Sequence, residues 1–371
     1  MKTITSNFLS RNIIFSIAIF TLISCSTQPE EGMETINILE LEQSDISISE
    51  IADDIEYIPL ANDTLLAYIM KVVYSEGEYF VKDNKSKFLR FNEKGELLNQ
   101  IGSQGRGPGE YRYLSDFEID PETRDIYVSG GKLNQIMIYS PDGKFKSSIN
   151  ITAKYTSAFG ISGNNFVLFY MDGAQHNKEN LEILDMDGNL IKSYPNKYEF
   201  ERGRAVVGFT GECLMYSLEN KLHFKEIFSD TIFYLDGYEI IPKMILNSGD
   251  SRFTPEVRSQ IIKELSSSPG GGSSDAMMRS VIQNNLFETQ NFLFYSYGYD
   301  KQTRMMIYNR STGKGVEIEG KTGIKNDLDG GPYIQLKMKK DDNTIFSWID
   351  AYELKAWVST EDFKNSTPKF P

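Results

Sequence analysis

Residues 113–150 read YLSDFEIDPETRDIYVSGGKLNQIMIYSPDGKFKSSIN, and this stretch decides the fold. It holds four short apolar runs, at residues 113–119, 125–129, 135–139 and 144–150. Three turn signals separate them: Pro121-Glu122-Thr123-Arg124, the glycine-led run from Gly130 to Asn134, and Ser140-Pro141-Asp142-Gly143. Strands this short, each break marked by Gly, Pro, Asp or Asn, describe an antiparallel meander rather than βαβ units. One such sheet cannot bury both of its faces, so it needs copies of itself.

The copies are legible on both sides. The run from Ile136 to Gly143 (IMIYSPDG) has counterparts at Phe88–Gly95 (FLRFNEKG) and Leu181–Gly188 (LEILDMDG), each a strand entering a tight turn that ends in glycine. The spacing of about 45–48 residues belongs to propeller blades. Continuing the pattern gives units near residues 67–102, 113–150, 158–196, 207–247, 285–319 and from 323 onward. The expected architecture is all-β, a six-bladed β-propeller over residues 36–371 with a short helical insertion at about 248–282. In that insertion Val257, Ile261 and Leu265 have helical spacing, followed by the flexible run SSSPGGGSS. The leading segment, residues 36–60, alternates in polarity and is expected to complete the last sheet, because closing a ring removes its exposed edges.

Composition narrows the function. With 21 Tyr and 23 Phe the chain has ample core material, and its net charge of −13 shows no basic stripe, so nucleic acid is excluded as a partner. Only two cysteines and two histidines are present. That scarcity leaves no disulfide framework and no zinc ligand set, and no cofactor is expected.

The N-terminus is an address. Lys2 and Arg11 precede the apolar run IIFSIAIFTLI, which is short for a membrane span and ends in Leu22-Ile23-Ser24-Cys25. Residues 1–24 read as a signal peptide of the lipoprotein kind, with Cys25 as the lipidated residue; several acyl chains there would tether the protein to a membrane. Residues 25–35 are polar and acidic, as suits a flexible tether. The partial acidic run Gln28-Pro29-Glu30-Glu31 favours the cell surface of an outer membrane over its periplasmic face.

Candidate site residues are few. The loop GSQGRGPGEY, residues 102–111, has the glycines of a phosphate cradle, yet Pro108 interrupts it and no lysine follows. It reads better as a sharp connection between blades, with Arg106 and Glu110 placed to meet a ligand at the ring's mouth. Asp327 and Asp329, beside Gly330-Gly331, are carboxylates near the mouth on the same reading. Asp185-Met186-Asp187-Gly188 lacks the terminal glutamate of a calcium loop and reads as a hairpin turn. His176 and His223 read as ordinary surface or turn residues, and Trp348 and Trp357 as aromatic faces that could stack on a sugar.

The lipobox, the blade period, the GSQGRGPGEY loop, Ser229-Asp230-Thr231-Ile232-Phe233-Tyr234 and Asp329-Gly330-Gly331-Pro332 occur together. In that combination the chain resembles the six-bladed, distantly NHL-like β-propeller lipoproteins of gut-type Gram-negative bacteria. The resemblance covers about residues 36–360 and implies fold and location rather than an activity. It departs at Lys369-Phe370-Pro371, where such chains usually carry a further Asn-Pro and an apolar strand, so the sixth sheet is expected either to lack a strand or to be closed by the N-terminal segment alone. Two functions follow as expectations. One is a non-catalytic envelope protein that binds a glycan, a peptide or a partner protein. The other is a metal-dependent lactonase or lyase-type enzyme built on carboxylates such as Asp327 and Asp329. Ligand-contacting residues in the first are Arg106, Glu110, Asp327, Asp329 and Trp348.

Overall fold

The computed structural model describes residues 32–61, 65–132, 134–151, 154–170, 177–209, 211–267, 274–319 and 323–364. The leader, Cys25, most of the tether and His176 lie outside them. After β1 (Glu34–Asn37) the chain forms sheet one from β2 (Ile69–Ser75), β3 (Glu78–Asp83), β4 (Phe88–Asn92) and β5 (Leu97–Gln100). Sheet two is β6 (Asp116–Ile119), β7 (Ile126–Lys132), β8 (Gln135–Tyr139) and β9 (Phe145–Asn150). Sheet three is β10 (Thr156–Ser162), β11 (Asn165–Tyr170), β12 (Glu179–Asp185) and β13 (Leu190–Pro195). Sheet four is β14 (Cys213–Leu218), β15 (Lys221–Glu226), β16 (Thr231–Asp236) and β17 (Glu239–Asn247), and sheet five is β18 (Ile282–Glu288), β19 (Phe292–Tyr299), β20 (Gln302–Asn309) and β21 (Lys314–Glu319). Each is an antiparallel meander. The first strands are successive neighbours around a ring, from β6 through β10 and β14 to β18.

Each sheet buries alternate residues against opposite neighbours, as a period of two requires. In sheet two Val128 and Met137 face Phe80 and Phe88 of sheet one, whereas Tyr127 and Ile136 face Phe159 and Phe166 of sheet three. Sheet three likewise turns Val167 and Ile183 toward Leu222 and Phe224 of sheet four. The core is therefore a series of seams, and burying one large side chain in a seam stabilises the fold by about 1.5–3 kcal/mol. The turns follow local chemistry. The side chain of Asn92 accepts from the amides of Lys94 and Glu96 at 3.0 and 2.9 Å, and Gly95 follows at φ +80°, where an added Cβ would strike the carbonyl of Pro59.

The blade count corrects the sequence-based expectation: among the described residues there are five sheets of this kind, not six. Between sheets five and one stands only a hairpin, β22 (Met338–Lys339) and β23 (Ile345–Phe346). The strands expected at 334–338 and 344–348 are cut short for identifiable reasons. Pro332 has no amide to donate, and Ile334 exchanges both backbone hydrogen bonds with Ile324 at 2.8 Å, within its own loop. After Phe346 the chain leaves the strand and becomes helical at Ala351. The hairpin still closes the ring, because Asn285 donates to the Lys337 carbonyl at 2.5 Å and the Val72 amide meets the Met338 sulfur at 3.2 Å.

The leading segment also departs from expectation. It does not complete the last sheet. β1 adds in parallel to β17 of sheet four. Residues 42–44 then run along β21 of sheet five, where Ser44 donates to the Glu317 carbonyl and Glu317 to that of Glu42, both at 3.0 Å. Further on, the Ala61 amide reaches the Gly95 carbonyl of sheet one at 2.8 Å. One strap thus ties three sheets across the weak sixth place.

Helices are few. α1 (Pro255–Ser267) and α2 (Asp275–Met278) form the insertion between sheets four and five; α3 (Ala351–Val358) and α4 (Glu361–Lys364) follow the hairpin. α1 opens on proline, as a first helical position allows. It buries Ile261 and Ile262 over Phe200, Phe209, Phe228 and Phe253, and its buried Arg258 pairs with Glu212 at 2.6 Å.

Candidate functional site

Antiparallel meanders divide the ring into two faces. Hairpins from first to second strand and from third to fourth, such as Glu76-Gly77 and Ser140–Gly143, lie on one. The long connections from one sheet to the next lie on the other, with the second-to-third turns. Contacts agree: on the second face the Asn84 amide donates to the Tyr68 carbonyl at 2.9 Å, and the Tyr111 hydroxyl to the Ser86 carbonyl at 3.3 Å. Among the described residues the long loops gather there, including residues 102–115, 196–209 and 323–336 and the helices α1 and α2.

Three exposed tyrosines stand ahead of the first strands of consecutive sheets on this face. In sheets one, two and three, the residue six before the turn glycine is Leu89, Met137 and Glu182. These face Val81, Val128 and Leu168, which in turn face Val72, Phe117 and Phe159 of the first strands. Four residues earlier stand Tyr68, Tyr113 and Tyr155, exposed by 62, 40 and 61%. An exposed aromatic repeated just ahead of the first strand of three consecutive sheets is unlike scattered surface hydrophobics, which need no explanation. Trp348 extends the arc: the Lys337 ammonium lies 5.3 Å from its ring and 5.9 Å from that of Tyr68.

Below the tyrosines is a floor of charges already committed to one another. The Lys71 ammonium donates to Asp116 at 2.8 Å, the Phe117 carbonyl at 2.8 Å and Glu118 at 2.9 Å, joining sheets one and two. Against the cost of burial, Asp116 and Glu118 hold that ammonium above its usual range, while burial pushes the Glu118 carboxyl up. Lys82, its pKa lowered by burial, donates to the Ser115 carbonyl. In sheet three Lys154 pairs with Glu182 at 2.6 Å and sits 4.4 Å above the Tyr170 ring, whose hydroxyl donates to the same carboxylate at 2.6 Å. Asp83 accepts from the amides of Ala67, Lys85 and Lys87.

The residues singled out from sequence fall in three places. Arg106 is exposed on the long-connection face, but Glu110 folds back into its own loop and accepts from the Gly107 amide at 2.7 Å. A Cβ on Gly105 would sit 1.9 Å from that carboxylate, which explains one glycine of the run without a phosphate. Asp327 accepts from the amide and hydroxyl of Ser49 at 3.0 and 2.7 Å, and Asp329 from Asn326 at 2.6 Å and the Gly331 amide at 2.8 Å. These carboxylates fasten the N-terminal strap. Burial, with Asp329 close by, pushes the Tyr57 hydroxyl up to about 12. Among the described residues no three His, Cys, Asp or Glu side chains gather as a metal-ligand set. Trp348 belongs with the tyrosines, whereas Trp357 donates to the Gly330 carbonyl at 3.0 Å.

His223 corrects the reading of a surface histidine. It is buried on β15, its ring 5.2 Å from Tyr216 and 5.6 Å from Tyr234, because strand alternation turns it into the seam of sheets four and five. There Lys243 approaches its Nε2 at 3.2 Å and Glu288 at 2.9 and 3.0 Å; Arg310 and the Tyr216 hydroxyl also meet Glu288. Burial, then the charges of Lys243 and Arg310, push the imidazole down to about 4. The tyrosine arc was missed in the sequence although its signal was present: the intervals of 45 and 42 residues between Tyr68, Tyr113 and Tyr155 follow the blade period.

Residues 33–371 match a family described as a domain of unknown function (DUF4934). No curated protein matches the chain. Among solved structures, a Bacteroides fragilis protein described as exported superposes with a TM-score of 0.64 at 16% identity, covering 87% of this chain and 95% of that one. A member of the duf4221 family from Bacteroides vulgatus gives 0.48 at 12% identity, with 71% and 85% covered, and the virginiamycin B lyase of Staphylococcus aureus 0.41 at 13%, with 76% and 83% covered. The first similarity establishes a shared propeller fold. No helix among the described residues is long and apolar enough to cross a membrane.

Proposed function

This chain belongs to the DUF4934 family, and from that premise we propose that it is a lipid-anchored envelope protein whose propeller binds a ligand across its long-connection face. Cys25 carries the lipid, residues 26–33 ahead of β1 are the tether, and the acidic start of that tether directs the protein to the outer surface of an outer membrane. The exported B. fragilis relative supports passage out of the cytoplasm. The protein captures a glycan or peptide for uptake and does no chemistry on it.

The observation that carries the reading is the arc of Tyr68, Tyr113 and Tyr155, exposed just ahead of the first strands of three neighbouring sheets. Exposed aromatics of this kind supply contact area at small entropic cost. The ionisable groups beneath them are held in pairs, which suits a rigid platform more than acid–base turnover. A photo-crosslinking residue placed at Tyr113, and separately at Tyr238 on the opposite face, tests it in intact cells. Adducts are expected from position 113 alone; equal labelling at both positions, or labelling only at 238, refutes the assignment. Mass spectrometry of the purified N-terminus checks the anchor: an acylated Cys25 is expected, and an unmodified thiol behind a retained leader refutes it.

A further inference from the structure

We propose that the ligand of this face is an acidic glycan, one that carries uronate carboxylates or sulfates; this rests on the binding role argued above and names its substrate class. The charge left free to meet a ligand decides its sign. Lys85 stands in the turn between β3 and β4, where the Asn84 amide donates to the Tyr68 carbonyl at 2.9 Å. In the same turn Ser86 accepts from the Tyr111 hydroxyl and from the Leu114 amide, both at 3.3 Å. These two bonds flank Arg112 and Tyr113 and fix them beside that turn. The loop carrying Arg106 doubles back on the same segment: Gly105 donates to the Tyr111 carbonyl at 3.0 Å and the Gln104 side chain to that of Arg112 at 2.9 Å. Lys337 joins the group through Tyr68 and Trp348, its ammonium 5.9 and 5.3 Å from their rings.

Four cations are thus gathered among Tyr68, Tyr113 and Trp348, and none of them pairs with a carboxylate among the described residues. Lys85, Arg106 and Arg112 are exposed, and the half-buried Lys337 donates to the Gln335 side chain at 3.1 Å. The carboxylates of the same segments are spent inside the protein. Asp83 accepts from the amides of Ala67, Lys85 and Lys87, Glu110 accepts from that of Gly107, and Asp116 and Glu118 hold Lys71. What this surface leaves free is positive, on a chain whose net charge is −13. A cationic ligand would meet these charges and find no compensating carboxylate before Asp350, exposed two residues past Trp348.

An acidic peptide would satisfy the same cations, and the surface favours the sugar. An extended peptide gains its affinity by pairing its main chain with an open strand edge. The uncovered outer strands β9 and β13 stand at the rim, whereas this face presents loops and strand ends. Tyr68 and Tyr113 instead offer open rings on which the flat C–H side of a pyranose stacks. Beside them the planar guanidiniums of Arg106 and Arg112 match a carboxylate or sulfate with two parallel hydrogen bonds, as lysine does not.

The test is an array of sulfated and uronic-acid glycans, their neutral counterparts and acidic peptides, probed with the mature chain. Wild type is compared with R106Q/R112Q, with Y68A/Y113A/Y155A and with K94Q/K314Q, which removes the same charge from exposed positions at the hairpins of the opposite face. Acidic glycans alone are expected to bind, with affinity falling about tenfold in R106Q/R112Q and unchanged in K94Q/K314Q. Both arginines are exposed, so their variant keeps the fold and decides the matter even where the alanine variant fails to fold. Neutral and acidic glycans bound alike, with binding kept in R106Q/R112Q and lost in the alanine variant, overturn the acidic class and leave the face as a binding site. Acidic peptides bound in place of glycans, and lost in R106Q/R112Q, overturn the glycan and again leave the face. An equal loss in K94Q/K314Q, or no binding by the folded wild type, overturns the face as well.

Discussion

Two seams of this propeller hold charges between adjacent sheets, and they differ in what surrounds those charges. Between sheets one and two, Lys71, Asp116 and Glu118 lie just under the tyrosines, each side chain still about a quarter exposed. Between sheets four and five, Glu288 is wholly buried among Lys243, Arg310, Tyr216 and His223, toward the hairpin face. Surface ion pairs contribute little because water competes, whereas a sealed carboxylate depends on every partner it has. The first seam can therefore set the charge preference of a ligand, and the second can only hold two sheets together.

The sharpest way to break the comparison is at Glu288. Replacing it with alanine leaves Lys243 and Arg310 facing each other without an anion, and we expect a loss of about 3–5 kcal/mol in urea unfolding. A loss below about 1 kcal/mol would make this seam no different from a surface pair. The next effect is read in pH. His223 has a folded pKa of about 4 against about 6.5 when unfolded, so between these values the unfolded chain binds more protons. Its contribution is present above pH 6.5 and is lost as pH falls to 4, by about 3 kcal/mol. H223F should flatten that part of the stability profile relative to wild type; an unchanged slope would show that the imidazole is not held neutral by the seam.

The two seams were unequally legible. Turn chemistry and period-two apolar runs are local, so the strands of sheets one to five could be located from Gly95, Gly143 and Gly188 outward. The sixth place failed because a bridge inside one loop overrides the strand pattern: Ile334 has a strand-like sequence, but Ile324 claims its backbone. The strap failed similarly, since nothing in residues 36–60 says which sheet edge is open. Glu288 and His223 looked unremarkable because a lone charge in a strand acquires partners only when the neighbouring sheet arrives. The tyrosines differ: they recur at about the blade period, and they were recoverable by looking just ahead of each first strand.

The smaller effects test the seam under the tyrosines. K71M removes the ammonium that Asp116 and Glu118 share, yet both carboxylates can still turn to water, so we expect about 1–2 kcal/mol in unfolding, well short of the loss at Glu288. The same change should also make the face more negative and favour cationic probes, whereas E288A should leave ligand charge preference untouched. Last comes Y113A. An exposed ring outside the strands should alter stability by no more than about 0.5 kcal/mol, while ligand affinity falls by a measurable factor. If Y113A instead unfolds the protein, the ring is a structural part of the seam and the division between a sealed seam for stability and an open one for binding fails.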